Sequence, residues 1–235
     1  MKPHFNKQSS EETFFASLSG QAKNYFEKSG RSRYGNSLVL GKGIFFLLVM
    51  LALYTLLLTS SNLPGMLLVL YIAFGFIIAQ ATFNFAHDAC HQSLSKYKKL
   101  NNFIFYFLFN LQGVSAYLWK KRHLESHHVH ANVEGADVDL EDTRLVRLHP
   151  ASEYKCWHRF QHLYAPFLYL FYTLNWVFVK DLKLIFREQH GSLKMKHSAM
   201  DIARIVGIKI IYLFIFIFIP WITTGLSFLF ILAWF

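Results

Sequence analysis

From Gly43 to Ala86 the chain carries no aspartate, glutamate, lysine or arginine, and from Ile210 to Phe235 it again carries none. Uncharged runs of that length match the thickness of a bilayer core better than the interior of a water-soluble domain. Composition agrees. Hydrophobic residues make up 54% of the 235 and the mean hydropathy is +0.27, whereas soluble domains have an apolar share of roughly 45–50%. The fold class read from this is all-α, an integral-membrane helical protein.

Ile44–Ser60 and Met66–Ala86 form a predicted helical hairpin, joined by a turn at Ser61-Asn62-Leu63-Pro64-Gly65. At about 1.5 Å per helical residue each run can cross a hydrocarbon core of about 30 Å. A third span is expected at about 205–221, with Arg204 and Lys209 snorkelling to its edge. Residues 225–235 read as the start of a fourth helix, completing a second hairpin that is too short to cross, so a fragment or an interrupted reading frame is expected. The domain reading is a polar cytoplasmic segment at 1–42, then a membrane domain at 43–235 whose residues 87–200 form a cytoplasmic or interfacial histidine-rich region. The first apolar run starts too late for a signal peptide.

The formal net charge is +10. The basic residues flank apolar runs, which favours a phospholipid surface over nucleic acid as the anionic partner. Lys42 precedes the first hairpin, and Lys96, Lys98 and Lys99 follow it. Both ends of the hairpin should therefore face the cytoplasm, in a bacterial inner membrane or the endoplasmic reticulum. Cys90 and Cys156 make no disulfide framework or paired metal motif.

Leu100–Trp119 is also uncharged, but it contains Asn101, Asn102, Asn110, Gln112 and Gly113. If it crossed, the histidines on either side would be about 30 Å apart. It is read as interfacial or re-entrant. Phe160–Val179, broken by Pro166 and rich in tyrosine, is expected to lie flat for similar reasons.

Two histidine clusters bracket the Leu100–Trp119 run: His87-Asp88-Ala89-Cys90-His91 and His123-Leu124-Glu125-Ser126-His127-His128. Residues four apart share a helix face, so His87 with His91, and His123 with His127, can each aim two imidazoles at one metal. His128 lies about 100° further round the helix and is expected to serve a neighbouring ion. His130 is near enough to assist. Imidazole suits several metals, but clusters numerous enough for two high-coordination centres favour redox iron, with zinc as the alternative. Neither His-Glu-x-x-His nor the soluble Glu-x-x-His di-iron pattern is present.

These boxes resemble those of membrane fatty acid desaturases. His87–His91 is similar to the family's first histidine box. His123–His128, with Val129-His130-Ala131-Asn132 and Gly135-Ala136-Asp137-Val138-Asp139, is similar to the second and its trailing signature. Arg159-Phe160-Gln161-His162 through Leu174-Asn175-Trp176 resembles the acyl-CoA and acyl-lipid branch that includes linoleoyl-CoA and front-end enzymes. The resemblance covers roughly residues 40 to 235. It implies O2-dependent desaturation of a long acyl chain, carried by a membrane lipid or CoA. It also implies two irons, an external ferredoxin or cytochrome b5 donor, and His87, His91, His123, His127 and His128 as metal ligands. A third box, Gln-x-x-His-His, is implied beyond Phe235. His149-Pro150 continues as Ala151-Ser152, not as a cytochrome b5 heme motif.

A lipid hydroxylase on the same frame, a zinc-dependent membrane hydrolase and a non-catalytic remnant remain alternatives. Cys90 reads as a packing residue, and His149, His158 and His162 as interfacial polar groups. Asp88, Asp137 and Asp139 are candidates to orient ligand histidines. Trp119, Lys120, Lys121 and Arg122 are candidates for an anion-binding or anchoring strip.

Overall fold

The computed structural model describes residues 9–59, 64–140, 145–191 and 193–235. Helix α1 (Ser9–Ser29), exposed over residues 13–29, precedes α2 (Ser37–Thr59), which packs against α3 (Pro64–Ala81). Positions 61–63 of the predicted turn lie outside the described residues. No break follows α3: a π-helical turn at Thr82–Ala86 leads directly into α4 (His87–Cys90). The second span and the first histidine box are thus one rod, Gly65–Cys90, of 26 residues.

Three helices among the described residues are long and apolar enough to cross a membrane: Ser37–Thr59, Gly65–Cys90 and Ala199–Thr224. Only 11%, 33% and 28% of their most apolar windows are buried within the protein. Lipid must cover the remainder, since so much exposed apolar surface is untenable in water. The expected all-helical membrane architecture therefore holds, with each rod longer than its apolar run alone suggested.

Leu100–Trp119 does not form one rod. Helix α5 (Lys98–Leu111) has 14 residues, a length of about 21 Å that falls short of the core. The chain then turns at Gly113, whose φ of +75° is left-handed, and restarts as α6 (Ala116–Arg122). One face of α5 is buried through Asn101, Phe105, Leu108 and Phe109, while Phe103 and Phe107 stay exposed. After a π turn at His123–His127 comes the short α7 (His128–His130). The Phe160–Val179 region is likewise broken, into α8 (Gln161–Leu170) and α9 (Tyr172–Asn175), and a π turn at Trp176–Lys180 then leads into α10 (Asp181–Ile185).

A two-residue antiparallel ladder, β1 (Gln189–His190) with β2 (Leu193–Lys194), was not foreseen. The third rod joins α11 (Ala199–Leu213), a π turn at Phe214–Phe218 and α12 (Ile219–Thr224). It starts at a Ser198–Asp201 capping box and stops at left-handed Gly225, before α13 (Phe228–Trp234). A π turn disturbs the helical ladder, and an unpaired carbonyl is costly in lipid. Here the hydroxyls of Tyr54 and Tyr71 donate to the Ile215 and Phe216 carbonyls at 2.8 and 2.7 Å.

Lys209 departs from the sequence expectation. It is buried, not snorkelling, and pairs with Asp181 at 2.5 Å. Arg204 has an exposed side chain beside Asp201.

The main core joins Phe74 of α3, Phe85 of the turn after it, Phe105 and Phe109 of α5, Trp119 of α6 and Phe216 of the third rod. Gly43 lets α2 approach it: a Cβ there would lie 2.3 Å from the Phe85 ring, whereas one at Gly41 would meet nothing within 4 Å. Gly43→Val should cost about 1–3 kcal/mol through overpacking. Thermal unfolding in detergent should show a lowered midpoint for Gly43→Val and a nearly unchanged one for Gly41→Val.

Candidate metal centre

The first box keeps ordinary helical spacing. The His91 amide donates to the His87 carbonyl at 3.2 Å, and the two rings sit 4.6 Å apart. In the second box, the π turn bonds the His128 amide back to the His123 carbonyl, five residues away. That extra residue per turn puts His128, not His127, on the face of His123. The ring separations are 4.4 Å for His123 and His128 and 5.6 Å for His123 and His127. The expected pairing of His123 with His127 is therefore corrected, and the cause is the π turn.

His123 Nε2 lies 3.1 Å from His87 Nε2, 3.2 Å from His91 Nε2 and 3.0 Å from His128 Nε2. An imidazole nitrogen bears one proton or one lone pair, so it cannot hydrogen-bond to three others at once. A shared cation removes the conflict. With metal–nitrogen bonds of about 2.1 Å, neighbouring ligands sit about 3.0 Å apart in an octahedron and about 3.4 Å in a tetrahedron. The observed spacings fall in that range, so His87, His91, His123 and His128 fit a metal ion.

His127 belongs to a second group with Asp137 and Asp139. Its Nδ1 lies 2.9 Å from Asp137 Oδ2, and Asp137 also accepts the Asn132 and Asp139 amides, each at 2.9 Å. Burial works against ionisation of Asp137, but those amides and the His127 imidazole outweigh it and hold its carboxyl below the usual range. A carboxylate on Nδ1 fixes the tautomer that leaves Nε2 free to bind a metal. The expected orienting role therefore fits Asp137. Asp88 is 3.9 Å from His87 Nδ1, beyond hydrogen-bond reach.

The surroundings hold these rings still. Trp119 stacks on His123 at 4.2 Å and 23°, backed by Phe109 at 4.3 Å. Ser126 donates to the Ala136 carbonyl and accepts the Val138 amide, which pins the Asp137 loop. Trp119 and Arg122 are buried, and Arg122 donates to Asp139 at 2.6 Å, so neither belongs to a surface anion strip. No helical periodicity marked these roles. Cys90 packs in the core, as expected, and His130 is buried but belongs to neither group. His149 faces Glu134 at 3.6 Å, His158 Nδ1 accepts the Lys155 amide, and His162 is exposed.

A membrane-helical protein that gathers histidines from two boxes into one cation-sized space belongs to the multi-histidine metal-site class. Sequence comparison gives the family. The fatty acid desaturase profile matches residues 61–235, and the chain belongs to that family. It is 30% identical to the sn-1 linoleoyl-lipid 6-desaturase of Arthrospira platensis, over 88% of this chain and 56% of the relative. It is 27% identical to the enzyme of the same name from Synechocystis sp., over 80% of this chain and 53% of the relative. Acyl-lipid (8-3)-desaturase B of Dictyostelium discoideum is 25% identical, over 85% and 43%. The chain thus spans about half the length of the curated relatives it matches. No solved structure matches it significantly.

Burial, followed by the neighbouring imidazoles, pushes His123 down to about 3 from an ordinary 6.5. In metal-free protein the unfolded chain takes up a proton near pH 6.5 that the folded chain refuses until about pH 3. This contribution to stability is complete above the unfolded value and is lost as pH falls between the two. Thermal midpoints of the metal-free protein should drop below pH 6.5, and His123→Asn should make that dependence shallower.

Proposed function

We propose that this chain carries the metal-binding part of an O2-dependent desaturase acting on a long fatty acyl chain. Its metal ligands would be His87, His91, His123, His127 and His128. The observation that carries this reading is the crowding of three imidazole nitrogens within 3.0–3.2 Å of His123 Nε2. The relatives' names, two linoleoyl-lipid desaturases and an acyl-lipid desaturase, favour an acyl group on a membrane lipid over acyl-CoA.

His87, His91, His123 and His128 would hold one ion, while His127, oriented by Asp137, would face a second. Iron, when bound and reduced by an external ferredoxin or cytochrome b5, supplies the oxygen activation needed to take two hydrogens from adjacent methylenes. Trp119 and the phenylalanines behind it keep water from the buried side of the rings. A cavity of 340 Å³ lined by Tyr71, Phe74, Ile78, Gln112 and Tyr212 offers apolar space nearby. Its Gln112 hydrogen-bonds to Thr82, on the turn leading into His87. The basic residues flanking the first hairpin support a cytoplasmic site, with residues 43–235 as one membrane domain.

The test is fatty acid analysis of a host expressing the gene. A new carbon–carbon double bond, absent with His123→Ala, is expected. A hydroxylated chain or an unchanged profile would overturn the reading. Iron content of the purified chain should fall with His128→Ala and hold with His130→Ala.

A further inference from the structure

We propose that Asp181 and Lys209 are positioning residues for the histidine centre, clamping the break between α5 and α6 and so fixing where His123 and His128 stand. This rests on the metal-site reading above. The pair is nearly sealed from solvent, at 1% and 7% exposure. Asp181 Oδ2 accepts from Lys209 Nζ at 2.5 Å and from the Ser115 amide at 2.7 Å, while Lys209 also donates to the Gly113 carbonyl at 2.5 Å. Two side chains, from α10 and from the third rod, thereby hold both ends of one three-residue turn.

The turn is also pressed against the third rod, because a Cβ at Gly113 would lie 2.6 Å from the Tyr212 ring. Ser115 caps α6 and its backbone leads, without a break in helical structure, through Trp119 to His123 and His128. Rotating or sliding α6 would therefore displace those rings together. A further link starts beside His123: Arg122 bonds Asp139, and its positive charge also acts on Asp181. Charges of alternating sign thus run from the His127 group to the third rod.

A buried ion pair adds little net stability compared with apolar residues of similar size, although removing one partner is strongly destabilising. Stability alone therefore does not explain this pair. Its backbone bonds at Gly113 and Ser115 do, because an apolar substitute cannot make them.

The experiment is cobalt(II) titration of the purified protein, followed by visible absorption, with helical content checked by circular dichroism. Asp181→Asn should weaken cobalt binding roughly tenfold or more, the range seen when groups that orient metal ligands are lost, and should shift the cobalt spectrum. The apolar double variant Asp181→Leu with Lys209→Met carries no lone buried charge and should fold, yet keep the weak, altered binding. Exposed Lys183→Ala should match the parent. Parent-like affinity and spectrum in Asp181→Asn, or in the folded double variant if Asp181→Asn does not fold, would overturn the proposal. Failure of the parent itself to bind cobalt would overturn the metal-site reading beneath it.

Discussion

At His123 three imidazole nitrogens crowd one that can hydrogen-bond to only one of them, and the rest of the structure depends on how that crowding is sustained. The four rings come from two segments separated by the oily stretch from Leu100 to Trp119. They can meet only because that stretch leaves the helical path at Gly113 and returns as α6. A straight helix there would have carried the second box away by most of a bilayer thickness.

Helical irregularity recurs where geometry matters. One π turn leads into the first box, another forms the second, and a third sits in the rod that carries Lys209. Each forfeits regular backbone bonding, which is tolerable in lipid only where other groups supply the missing partners. Tyr54 and Tyr71 do so in the third rod. The aromatic wall of Phe105, Phe109 and Trp119 supplies rigidity around the histidines.

Much of this was legible in the residues. Absence of charge marked the spans, because burying charge in hydrocarbon is expensive whatever the tertiary structure. The polar residues Asn101, Asn102, Asn110 and Gln112, with Gly113, marked the broken stretch, and His87 with His91 followed from helical spacing alone. The exchange of His127 for His128 was not legible, since a π turn has no reliable local signature and shifts every later side chain by one position. Nor was the burial of Lys209, whose partner Asp181 is 28 residues away in sequence. Trp119 read as part of an anion-binding or anchoring strip, and only the fold places it against His123.

The most direct measurement is X-ray absorption fine structure of the protein loaded with a single equivalent of cobalt(II). Close to four imidazole nitrogens at about 2.1 Å are expected, falling by one with His128→Ala and unchanged with His130→Ala. Two or fewer imidazoles in the parent protein, or no loss with His128→Ala, would contradict a centre shared by the two histidine boxes.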